Sequence, residues 1–413
     1  MINIDKDYII KLRREIHEYP EIDFELPKTV AVVKRELKAL GIPCTEKYGK
    51  GSVVGCINPQ KKGFTIGIRA DMDALKIYEK NDVPYRSKID GLMHACGHDA
   101  HTAILLGAAK ALKEMENSLN CRVKLLFQPS EEGIKSGAVM MIENGVLDDI
   151  DIIIGLHVNG KLSYGKLGVC PRHSQASSRH FKIEIKGKSA HAASPHTGID
   201  AIAIAFRMYS ALQLVVSREV DPREQYLCSI GKIEAGTAQN IVADRAVMWG
   251  TLRTYNMNIN SYIFERINKI AKCLSEETGA EITVVGPIKS FCVYNNPYLT
   301  DLMLSTFKKV VDNENISVLS PKMGSEDFSR FGAIIPAVFF NLGTQNKVKG
   351  IDRVVHNDDF NIDESAMEYG AKAFVQFVLD NQNGIDMQKA IDSDEREDIT
   401  IRGKTENNER VEL

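Results

Sequence analysis

At roughly 150 residues per domain, a chain of 413 residues suggests two or three domains. Hydrophobic residues make up 44% and charged residues 26%, the composition of a globular protein. Lys plus Arg number 52 against 55 for Asp plus Glu, a net charge of −3. That balance excludes the basic excess of a nucleic-acid-binding surface, and no stretch approaches the roughly 18 apolar residues of a membrane span.

The N-terminal segment MINIDKDYIIKLRREIHEYPE is charged throughout, without the apolar core of a signal peptide. Eight dispersed cysteines fit reduced thiols better than a disulfide framework. A cytoplasmic location is expected on both grounds.

Helical apolar spacing covers residues 5–19 and 28–40, and Val- and Ile-rich strands follow at 51–57 and 64–70. Residues 100–112 read as a helix, 123–127 as a short buried strand, 132–144 as a helix and 152–156 as another apolar strand. This order predicts an α/β fold, a mainly parallel sheet with helices on both faces. From residue 179 the pattern changes. Phe181, Ile183 and Ile185 alternate as in a half-buried strand, and 199–216 is an apolar helix. Strands at 226–234 and 245–255, a helix at 260–277 and a strand at 281–285 complete a ferredoxin-like α+β order. The first pattern resumes with a helix at 297–312, a strand at 337–342 and a helix at 363–379. The expected organisation is a discontinuous catalytic domain, 1–178 and 288–380, carrying an inserted domain at 179–287. The segment 381–413 has few large apolar groups and is expected to be a disordered acidic tail.

Several segments could carry chemistry. In HACGHDAH, Cys96 and His98 precede a helix, where the N-terminal dipole favours a thiolate; thiolate and imidazole suit zinc and its neighbours. The same segment reads equally as a loop with a buried Cys. In FQPSEEG, Glu131 and Glu132 follow a strand, and ligands bind beyond the carboxyl ends of parallel strands. One carboxylate there could bind metal while the other takes a proton from water. A solvated acidic turn is the alternative. His157 in IIIGLHV and His356 in VVHNDDF each follow an apolar run, as does Asp71 with Asp73 in IRADMDAL. A lone His at such a position is more often a core residue. Their shared placement is the stronger signal, since three predicted strands each deliver a potential ligand to one edge of a sheet.

Together with LRREIHEYPEIDFELPKT, GKSAHAASPH, GTAQNIVADRAVMWGTLRT and MGSEDF, these segments occur in an order that resembles the dinuclear-metal peptidase and amidohydrolase family. The resemblance covers roughly residues 8–380. It points to the branch of hippurate hydrolases, N-acyl-amino-acid deacylases and auxin–amino acid conjugate hydrolases. It implies a metal-dependent amidohydrolase that cleaves N-acyl-L-amino acids; a dipeptidase or carboxypeptidase with the same metal site is the alternative.

By that resemblance, Cys96, His98, Glu132, His157 and His356 are the ligands of two divalent ions per subunit, zinc, manganese, cobalt or nickel. Glu131 is the general base, and Cys96 bridges the metals. Asp73 orients a ligand His, whereas Asp71 stands where related branches place a ligand His and is a doubtful ligand. His191 belongs to the inserted lid domain and reaches an active site. Asn240 and Arg253 meet the substrate's carboxylate or oxyanion. The lid motif departs from the family in one place, Ala235-Gly236, where two glycines are common. The implied partners are a small N-acyl amino acid or short peptide and a second copy of the chain, in a homodimer or higher homo-oligomer paired through the lid. Neither nucleic acid nor membrane is expected.

Overall fold

A computed structural model describes residues 2–396. The chain forms two compact units. One comprises residues 2–174, 294–320 and 327–396; the other comprises 175–293 and 321–326. The second is wider than the expected 179–287, because the strand Ile288–Ser290 also pairs with Ser178–Lys186.

The first unit is built on an eight-stranded sheet. Its central strands, Arg122–Gln128, Thr65–Asp71, Ile152–Ser163 and Ala337–Gln345, are mutually parallel. Antiparallel pairings flank them, to Val53–Ile57 on one side and Leu167–Val169 on the other. Every residue of Thr65–Asp71 is buried. A parallel strand covered on both faces reads as a continuous apolar run, which is why these strands were legible in the sequence. Helix His98–Glu114 is buried along most of its length. It packs against Lys6–His17 and Met367–Asn381. Gly107 permits that approach, since a Cβ there would lie 2.4 Å from Ile9 Cδ1.

Two expectations for this unit needed correction. The helix expected at 132–144 is only Gly137–Glu143, capped by Ser136, whose side chain accepts from Val139 N. Residues 131–135 are held as a turn instead: Asp73 accepts from Glu131 N and Glu132 N, and Ser130 Oγ donates to Lys135 O. The expected disorder of 381–413 fails for 381–396. Helix Met387–Asp392 buries Ala390. Asn296 Nδ2 donates to Ala390 O, and Glu395 pairs with Arg172. Arg396 is buried over the Tyr294 ring, paired with Asp394 and donating to Gly332 O. Composition misjudged this stretch because polar and charged groups, rather than large apolar ones, dock it. The rest of the expected tail, 397–413, lies outside the described residues.

The second unit has antiparallel strands in the order Tyr226–Ala235, Arg245–Thr254, Ser178–Lys186, Glu281–Val285. Helices Ala201–Arg218 and Met257–Thr278 complete the ferredoxin-like order strand, helix, strand, strand, helix, strand. Phe181, Ile183 and Ile185 point into a core shared with Ile204, Met208, Leu212, Ile263 and Ile267. Among the described residues, no helix is long and apolar enough to cross a membrane.

The docking of 386–396 is testable. Arg396→Ala leaves the Asp394 carboxylate buried without its guanidinium, and removing one partner of such a pair costs about 3 kcal/mol or more. A clear drop in the urea midpoint is expected, and deletion of everything after residue 385 should lower it further. Midpoints equal to wild type would show that the segment contributes nothing.

Candidate metal centre

The site forms where the central strands end. Asp71 is the last residue of its strand and is paired in register with Gln128. Three residues beyond Gln128 lie Glu131 and then Glu132, in the turn pinned by Asp73. The Asp73 carboxylate accepts from both of their backbone N–H groups at 3.0 Å, while its Oδ1 lies 3.3 Å from His98 Nδ1. One side chain thus positions both the glutamate turn and an imidazole.

Cys96 and His98 flank Gly97, which has φ +87°. A Cβ at Gly97 would lie 2.4 Å from Val158 Cγ2, so only glycine fits this crossing. The turn brings Cys96 Sγ to 3.4 Å from His157 Nε2. His157 Nδ1 is 2.6 Å from Val158 O, and a carbonyl can only accept. The hydrogen therefore sits on Nδ1, and the Nε2 lone pair faces Cys96. His356 is attached through its backbone, N–H to Ala95 O at 2.8 Å, and takes φ +68°, unusual for a residue with a side chain. Its Nε2 lies 3.0 Å from Glu132 Oε1. Ligand atoms of Cys96, His98 and His157 lie within 4.8 Å of one another, as do those of Cys96, Glu132 and His356, and those of His98, Glu131 and Glu132.

The electrostatics suit a cation. Burial, with Glu132 nearby, pushes the Cys96 thiol well above its ordinary pKa. Burial and the neighbouring His101 lower His157 to about 3, so it is neutral and able to ligate. Burial works against charge on Glu132, but His356 and His98 bring its carboxyl down to about 2. Burial also opposes charge on His98, yet Asp71 and Cys96 raise it well above the usual imidazole range. Neither ring nitrogen of His98 makes a hydrogen bond of normal geometry. A buried thiol, imidazoles and carboxylates whose ligand atoms converge are a donor set that fits a divalent metal. A bound cation would reverse the thiol shift, since coordination deprotonates it.

The other expected residues lie in the second unit. His191 is exposed on a two-residue strand paired with Ile241–Val242. Its Nδ1 accepts from Ala193 N at 3.0 Å, which leaves the hydrogen on Nε2. Asn240 is its neighbour, with Asn240 O accepting from Ala192 N. Arg253 donates to Met323 O at 3.1 Å. Gly236 has φ +73°, so the retained glycine of Ala235-Gly236 is the one the backbone requires.

Arg69 and Asp327, given no role from the sequence, lie behind the centre around Asp71, the residue expected to be a doubtful ligand. Asp71 has both oxygens engaged, Oδ2 by Arg69 at 2.7 Å and Oδ1 by His101 at 2.6 Å. Burial disfavours its charge, but Arg69, His98 and His101 hold the carboxyl well below the ordinary range. Asp327, within the MGSEDF segment, joins the same network. The available signal was an arginine inside the apolar strand TIGIRAD, since a buried guanidinium requires carboxylates.

A family model described as peptidase family M20/M25/M40 matches residues 67–380, most of the chain. The chain belongs to this family. It is therefore a hydrolase of amide bonds. Thermostable carboxypeptidase 1 of Saccharolobus solfataricus is 37% identical over 385 residues, 92% of this chain and 96% of that protein. N-acetyl-L-cysteine deacetylase of Bacillus subtilis is 38% identical over 361 residues, 87% of this chain and 84% of that protein. Among solved structures, a dinuclear metal-binding M20 peptidase of Bacillus subtilis, the YXEP protein, superposes with a TM-score of 0.78 at 30% identity. That match covers 91% of this chain and 97% of the other.

Within this family member, Gly97→Ala is the sharpest probe of the Cys96–His98 crossing. A positive φ and overlap with Val158 together cost about 2–4 kcal/mol. Urea unfolding should show that loss, and a wild-type midpoint would contradict the packing described.

Proposed function

We propose that this M20 protein is a metal-dependent amidohydrolase that cleaves N-acyl-L-amino acids to a carboxylate and a free amino acid. The observation that carries the reading is the Glu131–Glu132 pair: adjacent carboxylates, one within ligand distance of Cys96 and His356, the other buried beside it. The deacetylase relative supports an N-acyl amino acid as substrate. Cys96, His98, Glu132, His157 and His356 would hold two divalent ions, a number supported by the M20 relative described as dinuclear metal-binding. Zinc, manganese, cobalt and nickel all suit thiolate, imidazole and carboxylate donors. Bound, such ions acidify a water and polarise the amide carbonyl.

The chain's own residues do the rest. Glu131 accepts the proton of the attacking water and delivers it to the leaving amine nitrogen. His191, with its hydrogen on Nε2, donates to the carbonyl oxygen as it gains negative charge. Asn240 and Arg253 meet the substrate carboxylate. Beside Glu132 and Asp73 lies an open cleft of about 490 Å³ lined by Ile22, Phe24 and Leu75 together with Asp23, Lys76 and Lys135, with room for an acyl group. A carboxypeptidase is the second reading, favoured by the archaeal relative and requiring the same chemistry.

The test is hydrolysis of N-acetyl and N-benzoyl amino acids and of dipeptides, after chelation and restoration of each metal. N-acyl substrates should be preferred; faster dipeptide cleavage would favour the second reading. Glu131→Ala should retain metal and lose about 10²–10⁴-fold in kcat, whereas Glu132→Ala should lose metal too. Equal metal loss in both variants would contradict the division of roles.

The reading includes a cytoplasmic homodimer. Reduced cysteines accord with that compartment. Helix Ala201–Arg218 exposes Ile202, Phe206, Tyr209 and Leu214, and Tyr226–Ala235 is an edge strand; both features suit pairing with a second copy. If His191 serves the partner's site, His191→Ala and Glu131→Ala chains, each inactive, should complement when co-expressed. Up to about a quarter of wild-type activity is expected for random pairing. Verified mixed dimers without activity would exclude donation across subunits.

A further inference from the structure

Behind Glu131 lies a buried polar network whose members have no part, in the proposed function, as metal ligands or proton carriers. Arg69, completely buried near the end of the central strand, donates to three segments: Gln128 Oε1 at 2.8 Å, Asp71 Oδ2 at 2.7 Å and Asp327 Oδ1 at 2.9 Å. Asp327 also accepts from Gln128 Nε2 at 2.8 Å and from Ser136 Oγ at 2.6 Å. Its carboxylate is thus held by a strand, by the neighbouring strand's end and by the cap of helix Gly137–Glu143. The backbone N–H of the same residue donates to Glu131 Oε1 at 3.3 Å.

A glutamate side chain has three rotatable bonds, and Glu131 follows Ser130, which itself takes φ +52°. Asp73 fixes the backbone of the turn but leaves the Glu131 side-chain torsions to be set by contacts farther out. The Asp327 N–H is one such contact, and a backbone donor is only as well placed as the residue carrying it. A side chain clamped by several donors makes the Asp327 peptide a fixed point.

We propose that Asp327 is a positioning residue: anchored by Arg69, Gln128 and Ser136, it holds the backbone N–H that orients the Glu131 carboxylate. The proposal rests on Glu131 being the base. A misplacement of about 1 Å at a reacting group costs on the order of 100-fold in rate.

Asp327→Ala should therefore lower kcat by about 10–100-fold, with KM and metal content near wild type. Asp327→Asn, which keeps an acceptor for Arg69 and Ser136, should recover most of kcat. Ser136→Ala removes a single anchor and should lower kcat a few-fold, which keeps the test decisive if Asp327→Ala does not fold. In a Glu131→Ala background, Asp327→Asn and Ser136→Ala should have no further effect on the residual rate. Losses that persist in that background, or that track KM or metal content, would overturn the proposal. A Glu131→Ala enzyme with wild-type turnover would instead overturn the reading of Glu131 as base, so the two failures are distinguishable.

Discussion

Asp71, Asp73, Glu131 and Asp327 are all buried at one edge of the sheet, and negative charge is costly to bury unless it is paired and hydrogen-bonded. The rest of the centre follows from how that charge is compensated. Arg69 lies between Asp71 and Asp327. His101 takes the other oxygen of Asp71, and its Nε2 accepts from Val158 N at 2.9 Å, beside His157. Asp73 is met by backbone N–H groups. Each compensating contact also fixes the place of a group in the centre, so stability of the buried charge and geometry of the site are one property.

A second buried cluster does the same for the opposite wall. Asp99, directly after His98, accepts from Arg13 Nε at 2.8 Å and pairs with His17 Nδ1 at 2.7 Å. Burial would raise this carboxyl, but Arg13 and His17 hold it far below the ordinary range. His17 Nε2 contacts Glu79, and Arg13 reaches Glu364 and Asn361. Helix Lys6–His17 therefore ties the start of the His98 helix to the segment after His356. This gives LRREIHEYPE a structural purpose beyond sequence resemblance: it braces two candidate ligands from behind. Removing one partner from such a cluster strands the other charge in the interior, which is more damaging than the worth of any single bond.

The candidate ligands differ in how they are held. His157 sits within a central strand and is oriented by its neighbour's carbonyl. His98 opens a helix. His356 lies in a loop with a strained backbone and a half-exposed side chain. Strain of this kind persists where surrounding structure over-determines it; here the backbone bond to Ala95, next to Cys96, supplies that constraint.

Much of this was legible in the sequence, and for a physical reason. Strands buried on both faces must be apolar throughout, and helices must carry a periodic apolar face, so the α/β order and the inserted ferredoxin-like order could be read from local pattern. FQPSEEG and IRADMDAL pointed to one sheet edge because side chains placed there share a single cleft, whereas His157 lies inside its strand and His356 in a loop rather than at the expected strand ends. Contacts between distant residues decided the rest. The turn at 131–135 displaces the expected helix because Asp73, 58 residues away, takes its N–H groups. The segment 386–396 docks because Arg396 finds Gly332 O and Tyr294, partners that composition cannot reveal. Arg69 and Asp327 are 258 residues apart, and only the folded chain shows that one guanidinium holds both carboxylates. Local periodicity reports the apolar faces that drive folding, whereas a buried polar contact depends on which two segments meet, and that is settled by the tertiary structure alone.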